Sequence, residues 1–367
     1  MKENKDFLNK QILTYIGNKR SLLSYIEKYI NIVRKDLNKD KIITCDLFSG
    51  SGIVARLFKQ YSSIIYTNDL EKYSKVLNEC FLTNKNDFDI KEFDTILKKI
   101  NDSIYNKKIS GFISELYSPC DDLNIKEGER AFFTHENALL IDSFRYYIDE
   151  YCNNKYKDIF LGLLLVESSI HTNTCGVFKG FYKDSKTGIG KFGGNGEYAL
   201  SRIKGKINIT RPVLSNFSCN HKCYQKDSVE LSKEIKNIDL TYIDPPYNQH
   251  PYGSNYFMLN LIVNNKRPEK ISDVSGIAHG WNHSSFNKKS EALNSLEEII
   301  KNIDSKYILI SYNNEGFIKF DDFKKVLSKY GKIHYEVIKY NTFRGSRNLN
   351  SRKIHTNEYL FLLKKEK

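Results

Sequence analysis

The run Ile238 to Ile243 is largely apolar and β-prone, and it ends in Asp244-Pro245-Pro246-Tyr247. Such a run reads as a buried strand. Two successive prolines have no N–H to donate, so a central strand must stop there and its tip opens into a cleft. The stiff backbone lets the Asp244 carboxylate and the Pro245 carbonyl aim at one point, with the Tyr247 ring beside them. Two acceptors next to an aromatic face match an exocyclic amino group on a flat base, which offers two N–H donors and a ring to stack on. The plainer alternative is a strand-ending turn.

A second motif lies far upstream. Ile42 to Phe48 is β-rich, Ser49-Gly50-Ser51-Gly52 turns, and Ile53 to Gln60 reads as a helix. Strand, Gly-rich turn and helix open a nucleotide-binding α/β unit. The turn has neither the G-x-G-x-x-G spacing used for pyrophosphate nor the G-K-[ST] of a P-loop. Ser63 to Thr67 then reads as a second strand, ending in Asn68-Asp69. An acid about 20 residues after the first turn sits where a ribose diol is held. An adenosine-type cofactor without pyrophosphate follows, and S-adenosylmethionine fits best.

Three blocks, in order, resemble the DNA adenine-N6 methyltransferases of the α-type group, which includes the DNA adenine methylases. They are Thr14-Tyr15-Ile16-Gly17-Asn18-Lys19-Arg20-Ser21-Leu22-Leu23, the D-L-F-S-G-S-G turn starting at Asp46, and D-P-P-Y. Tyr15 stands where the family usually has tryptophan, and Asn18 where it usually has glycine. The resemblance covers about the first 80 residues and the last 150. It implies that Tyr15, Lys19, Asp69 and Asp244 touch the cofactor or its immediate surroundings. It also implies that Asp46, Phe48, Ser49, Gly50 and Gly52 form the turn that holds the methionine end. Asp227 resembles the acid that contacts the cofactor's adenine; otherwise it is a helix-start acid facing the dipole.

The coarse architecture reads as α/β, and the resemblance implies a Rossmann-like S-adenosylmethionine-dependent methyltransferase fold. The expected core is a mixed seven-stranded sheet closed by an antiparallel hairpin from His334 to Tyr340 and Glu358 to Leu363. Helices are expected over Ser21 to Asn38, Leu70 to Phe81 and Asn255 to Asn264, and a fifth strand over Tyr307 to Ser311. Residues 84–214 interrupt the alternation with helical stretches, so a mainly helical target-recognition domain is expected there, inserted into a catalytic domain made of 1–83 and 215–367.

Charge supports a nucleic-acid partner. Lys and Arg total 57 against 44 Asp and Glu, a net +13. Residues 179–211 hold eight basic and two acidic residues, among them Lys183, Lys191, Arg202 and Lys204. A local basic excess among aromatics is the footprint of phosphate binding; a solvated lysine-rich surface is the bland alternative. Between the last two strands, Phe343 is placed to cover the far face of a flipped base, and Arg344 and Arg347 to contact phosphates. Seven cysteines without regular spacing suggest reduced thiols in a cytoplasmic protein. No apolar run is long enough to span a membrane, and no signal peptide is expected. Cys219-x-His221-x-Cys223 lacks a second ligand pair, so no metal is expected.

The function expected is methyl transfer to the N6 amino group of an adenine flipped out of duplex DNA, as the modification enzyme of a restriction–modification system. A companion endonuclease would then be a partner. Cytosine-N4 methylation uses the same geometry, although its enzymes more often carry serine before Pro-Pro-Tyr. A non-catalytic DNA-binding module is the alternative of another class.

Overall fold

A computed structural model of the chain describes residues 2–194, 199–341 and 355–366. The strands are β1 (Ile42–Asp46), β2 (Ser62–Asp69), β3 (Asn220–Gln225), β4 (Ile238–Ile243), β5 (Ser305–Asn313), β6 (Gly331–Asn341) and β7 (His355–Lys365). They form one seven-stranded sheet in the order β3-β2-β1-β4-β5-β7-β6. β1 to β5 pair in parallel, while β7 runs antiparallel to both β5 and β6. This is the mixed sheet with a closing hairpin that the alternation implied. Every residue of β4 is buried, as expected of a central parallel strand covered on both faces.

The helices are α1 (Lys5–Asn9), α2 (Leu23–Leu37), α3 (Ile53–Phe58), α4 (Lys72–Leu82), α5 (Ile90–Asn106), α6 (Phe112–Tyr117) and α7 (His135–Tyr151), then α8 (Asn154–Ile170) and α9 (Leu200–Lys204). After β3 come α10 (Ser228–Glu234), α11 (Tyr252–Asn255), α12 (Phe257–Asn264), α13 (Ala292–Asn302) and α14 (Phe320–Leu327). Sequence patterning missed α10, α13 and α14. The helix expected over Asn255 to Asn264 starts earlier and breaks at Tyr256, whose φ of −124° and ψ of 28° are not helical. The break turns the Tyr252 and Tyr256 rings toward the N-terminal segment.

Chain order around β1 decides where a site forms. From β1 the sheet grows one way through β2 and β3, and the other way through β4 and β5. A crevice therefore opens at the carboxyl ends of β1 and β4, the switch point where open α/β sheets bind ligands. Asp46 pairs with Tyr242, so Asp244 extends just past the strand pair into that crevice.

Residues 84–214 share one apolar core with their surroundings. Phe93 of α5 stacks on Phe160 of α8 with ring centroids 4.5 Å apart. Leu164 and Leu165 of α8 are buried in the same cluster as Tyr73 and Leu77 of α4 and Met258 and Ile262 of α12. The α4–α8 crossing is close because α8 carries a glycine: a Cβ on Gly162 would lie 2.5 Å from the Cys80 Cβ. Arg145 of α7, buried, donates from Nε to the Ile262 carbonyl at 2.8 Å, satisfying the end of α12. Among the described residues no helix is long and apolar enough to cross a membrane.

If that contact sets the helix spacing, Gly162→Val destabilises the protein by about 1–3 kcal/mol through overpacking. Chemical denaturation measures it, and an unchanged midpoint would show that the helices do not meet so closely.

Candidate active site

β1 ends in Asp46, 1 % exposed, whose Oδ1 has no hydrogen-bond partner among the described residues. Burial, then the neighbouring Asp244 and Asp69 carboxyls, push its pKa well above the usual carboxylate range. The turn that follows is pinned to β2: Ser49 donates its N–H to the Asn68 carbonyl at 2.8 Å. Its hydroxyl reaches the Asp46 carbonyl at 2.9 Å. Gly50 and Gly52 take φ of +51° and +77°, a conformation suited to glycine. A Cβ on Gly50 would also come within 2.7 Å of the Tyr15 ring. Asp69 accepts the Gly50 N–H at 2.8 Å and the Glu71 N–H at 2.9 Å, tying the ends of β1 and β2 together. Phe48 packs edge-on against Phe286.

The N-terminal block has little regular structure and is held by tyrosines. Tyr15 stacks on both Tyr252 and Tyr256, at 5.1 and 4.7 Å. The Ile16 N–H donates to the Tyr256 hydroxyl at 2.8 Å, and the Tyr252 hydroxyl donates to the Ile16 carbonyl at 3.1 Å. Gly17, at φ +75°, then turns the chain inward. Lys19 is consequently buried, not a solvated helix-start lysine. Its Nζ lies 3.0 Å from Asp244 Oδ1 and 3.1 Å from Glu358 Oε1, and it also contacts the Tyr247 hydroxyl. Burial alone would lower its pKa, but Asp244 and Glu358 outweigh that and hold it above the ordinary lysine value.

Asp244 Oδ1 also accepts the Tyr247 hydroxyl at 2.5 Å. Burial raises the Asp244 carboxyl to about 6; Lys19 opposes the shift and Glu358 adds to it. Pro245 is buried behind the carboxylate, and Tyr247 meets Tyr312 edge-on at 5.0 Å.

Two clefts meet here. The first, about 830 Å³, is lined by Asp46, Gly50, Asp69, Asp227 and Asp244, with Asn282 from the loop before α13. The second, wider, is lined by Tyr247, Lys179, His250, Thr356 and Glu358. Tyr15 to Lys19, Pro246 and Tyr252 belong to both, so they form the wall between them. Asp227 caps α10, accepting the Val229 N–H at 2.8 Å, while still facing the first cleft.

Glu71, Asn282 and Glu358 were not singled out by sequence reasoning. Glu71 is buried and raised to about 7, first by burial and then by Asp69; Asn260 and Asn282 donate to it. Glu358 left one signal, an acid at an inward position of an apolar strand.

The basic candidates of residues 179–211 differ in setting. Lys183 lies over the Phe181 ring at 5.1 Å, and Lys204 is exposed in the last turn of α9. Lys191 is half-buried, its N–H on the Tyr182 carbonyl at 3.0 Å. Arg202 points inward: its Nη1 donates to the carbonyls of Ile170, the last residue of α8, and Thr172 beyond it. Phe343, Arg344 and Arg347 lie outside the described residues.

A family model described as D12 class N6 adenine-specific DNA methyltransferase matches residues 15–326. The chain is 30 % identical to the type II methyltransferase M.NlaIII of Neisseria lactamica, over 96 % of this chain and 99 % of that one. It is 31 % identical to the type II methyltransferase M.CviAII of Paramecium bursaria Chlorella virus 1, over 95 % and 97 %. It is 26 % identical to the modification methylase StsI of Streptococcus sanguinis, over 96 % of this chain and 52 % of that one.

Asp46 gives a test independent of any ligand. Its pKa is raised on folding, so its favourable contribution is present below the unfolded value near 3.8 and is lost as pH rises. Asp46→Asn therefore raises the melting temperature at neutral pH, and the gain shrinks toward pH 4. A lower melting temperature at neutral pH would show that the charge is compensated.

Proposed function

Because the chain belongs to the D12 class N6 adenine-specific DNA methyltransferase family, we propose that the two clefts hold its two substrates. In this reading the first takes S-adenosylmethionine and the second an adenine flipped out of the duplex. The observation that carries it is the D-P-P-Y segment itself: Asp244 faces the first cleft, Tyr247 the second, and Pro246 both.

The first cleft suits the cofactor's parts. The unpartnered Asp46 oxygen offers an acceptor for an ammonium, and the close approach of Gly50 leaves backbone rather than side chain beside the ligand. Asp69, at the end of β2, is placed for a ribose diol and Asp227 for an adenine ring. Asp46, Asp69 and Asp244 together make the cleft anionic, as a sulfonium cation requires. When bound, S-adenosylmethionine supplies an electrophilic methyl group, the electrons of its carbon–sulfur bond staying on sulfur.

The chain's own residues do the rest. Adenine's amino nitrogen is a weak nucleophile because its lone pair is delocalised into the ring. Acceptance of its N–H groups by Asp244 and the Pro245 carbonyl favours a pyramidal nitrogen, and the carboxylate offsets the positive charge that develops as the N–C bond forms. The Tyr247 hydroxyl holds the Asp244 rotamer. Its ring supplies a stacking face, worth about 1–3 kcal/mol against the few kcal/mol of flipping. The methylated nitrogen then loses one proton to solvent by way of Asp244. The carboxylate must be ionised to accept, so turnover falls as pH drops through about 6.

Residues 84–214 act as the target-recognition region in this proposal, between catalytic segments 1–83 and 215–367. Lys179, Lys183, Lys191 and Lys204 are its phosphate contacts. The named relatives favour a modification enzyme of a restriction–modification system, acting on cytoplasmic DNA beside a companion endonuclease.

Unmethylated plasmid DNA incubated with labelled cofactor and digested to nucleosides should yield label in N6-methyldeoxyadenosine. Label in N4-methyldeoxycytidine would overturn the assignment. Asp244→Ala should reduce incorporation by more than about a hundredfold while leaving duplex affinity largely intact.

Exchanging Lys179, Lys183, Lys191 and Lys204 for Ala should weaken duplex binding and flatten its log–log salt dependence by about 0.9 per lost contact. A slope equal to that of the unaltered protein would make them a solvated surface.

A further inference from the structure

Lys19 carries three N–H donors on Nζ, yet four acceptors surround it. Besides Asp244 Oδ1 and Glu358 Oε1, they are the Gly17 carbonyl at 3.2 Å and the Tyr247 hydroxyl. Asp244 Oδ1 is engaged twice, by Lys19 and by Tyr247. The carboxylate that must receive adenine's amino group is thus already partly occupied by a buried cation.

We propose that Glu358 is a positioning residue that retains Lys19 while Asp244 turns to the adenine amino group, and that its charge lets a lysine remain beside a nitrogen becoming positive. This rests on the methyl-transfer reading above and adds a residue to it.

The acceptor count makes the exchange feasible. When Lys19 releases Asp244, Glu358, Gly17 and Tyr247 still satisfy its three donors, so no buried ammonium is left unpaired. Without Glu358, release would strand the charge, and Lys19 would stay on Asp244 in competition with the base. The sign of the cluster agrees. Lys19, Asp244 and Glu358 sum to one negative charge, which cancels the positive charge gained by the amino nitrogen. A Lys19–Asp244 pair alone is neutral, and the new charge would face the lysine uncompensated.

Glu358 is also fixed well enough to serve. It is 2 % exposed and lies within β7, paired with Asn313 of β5 and Ile338 of β6. The Ser311 hydroxyl donates to its Oε1 at 2.6 Å, setting the rotamer. The other titratable groups acting on Asp244 or coupled to it are Tyr242 on β4, Tyr252 on α11, Asp46 on β1 and Tyr247. None of them is a second acceptor for Lys19 except Tyr247, already counted.

Glu358→Gln in the full chain is assayed for methyl incorporation into plasmid DNA from about pH 5 to 9, with cofactor affinity by calorimetry and melting temperature alongside. The plateau rate should fall roughly tenfold or more. The acid limb should move to lower pH, because a like charge beside Asp244 is gone. Cofactor affinity should hold, since Glu358 lines only the second cleft of the two. A slower enzyme with an unmoved acid limb would make Glu358 merely structural, and an unchanged rate would remove its role; either overturns the proposal. If the Gln variant does not fold, Glu358→Asp decides: its charge is kept but its reach shortened, so a clear loss of rate with the wild-type acid limb is expected, and wild-type turnover overturns the proposal. Failure of the unaltered protein to label adenine would instead remove the methyl-transfer reading itself.

Discussion

A single buried ammonium fastens three distant parts of this protein. Lys19 comes from the N-terminal block, Asp244 from the end of β4 and Glu358 from β7. Desolvating a charge costs several kcal/mol unless partners are close and well placed, so once Lys19 is inside, each segment is obliged to stay. Ahead of α2, residues 14–19 of the N-terminal block belong to no sheet or helix. They are held by this ion cluster and by hydrogen bonds with Tyr252 and Tyr256. The wall between the two clefts is made of that block, so the geometry of both depends on Lys19 remaining paired.

The cluster also explains an electrostatic contrast. The chain carries a net +13, but the carboxyl ends of β1, β2 and β4 gather Asp46, Asp69 and Asp244 within mutual reach. Each is pushed upward by burial, and Asp46 further by the other two, so each is held at a cost in stability. Acids kept where they destabilise the fold mark a functional site. In the methyl-transfer reading proposed above, the basic exterior would draw phosphates over long range while the buried acids would favour a cation.

What could be read from the sequence was what is local. The D-P-P-Y turn and the glycine turn after Asp46 each follow from a few adjacent residues, and the antiparallel closing hairpin is expected from two β-rich runs near the end of the chain. What escaped was what depends on distant partners. Glu358 is one acid in an apolar strand until β7 inserts beside β5 and brings it to Lys19. Arg202 looked like any other residue of a basic stretch, but its Nη1 is spent on carbonyls at and just beyond the end of α8. Helices α10, α13 and α14 escaped although α13, at 11 residues, is as long as α4, and no proline or glycine stands at Tyr256 itself to announce the break there.

Residues 84–214 pack directly against the rest of the chain. Beyond the core shared by α4, α8 and α12, the stretch after α8 is fastened directly to the site. Phe178 donates its N–H to the Asn255 carbonyl at 2.8 Å, at the end of α11. Gly176 lies so close to Thr14 that a Cβ there would come within 2.5 Å of its methyl group. Thr14 in turn gives its carbonyl to the Tyr256 hydroxyl. A force on the insertion therefore reaches the segment bearing Lys19 through packed side chains and hydrogen bonds. If residues 84–214 recognise the target sequence, as proposed above, these contacts couple recognition to the segment bearing Lys19, so that selectivity acts on the rate of transfer as well as on binding.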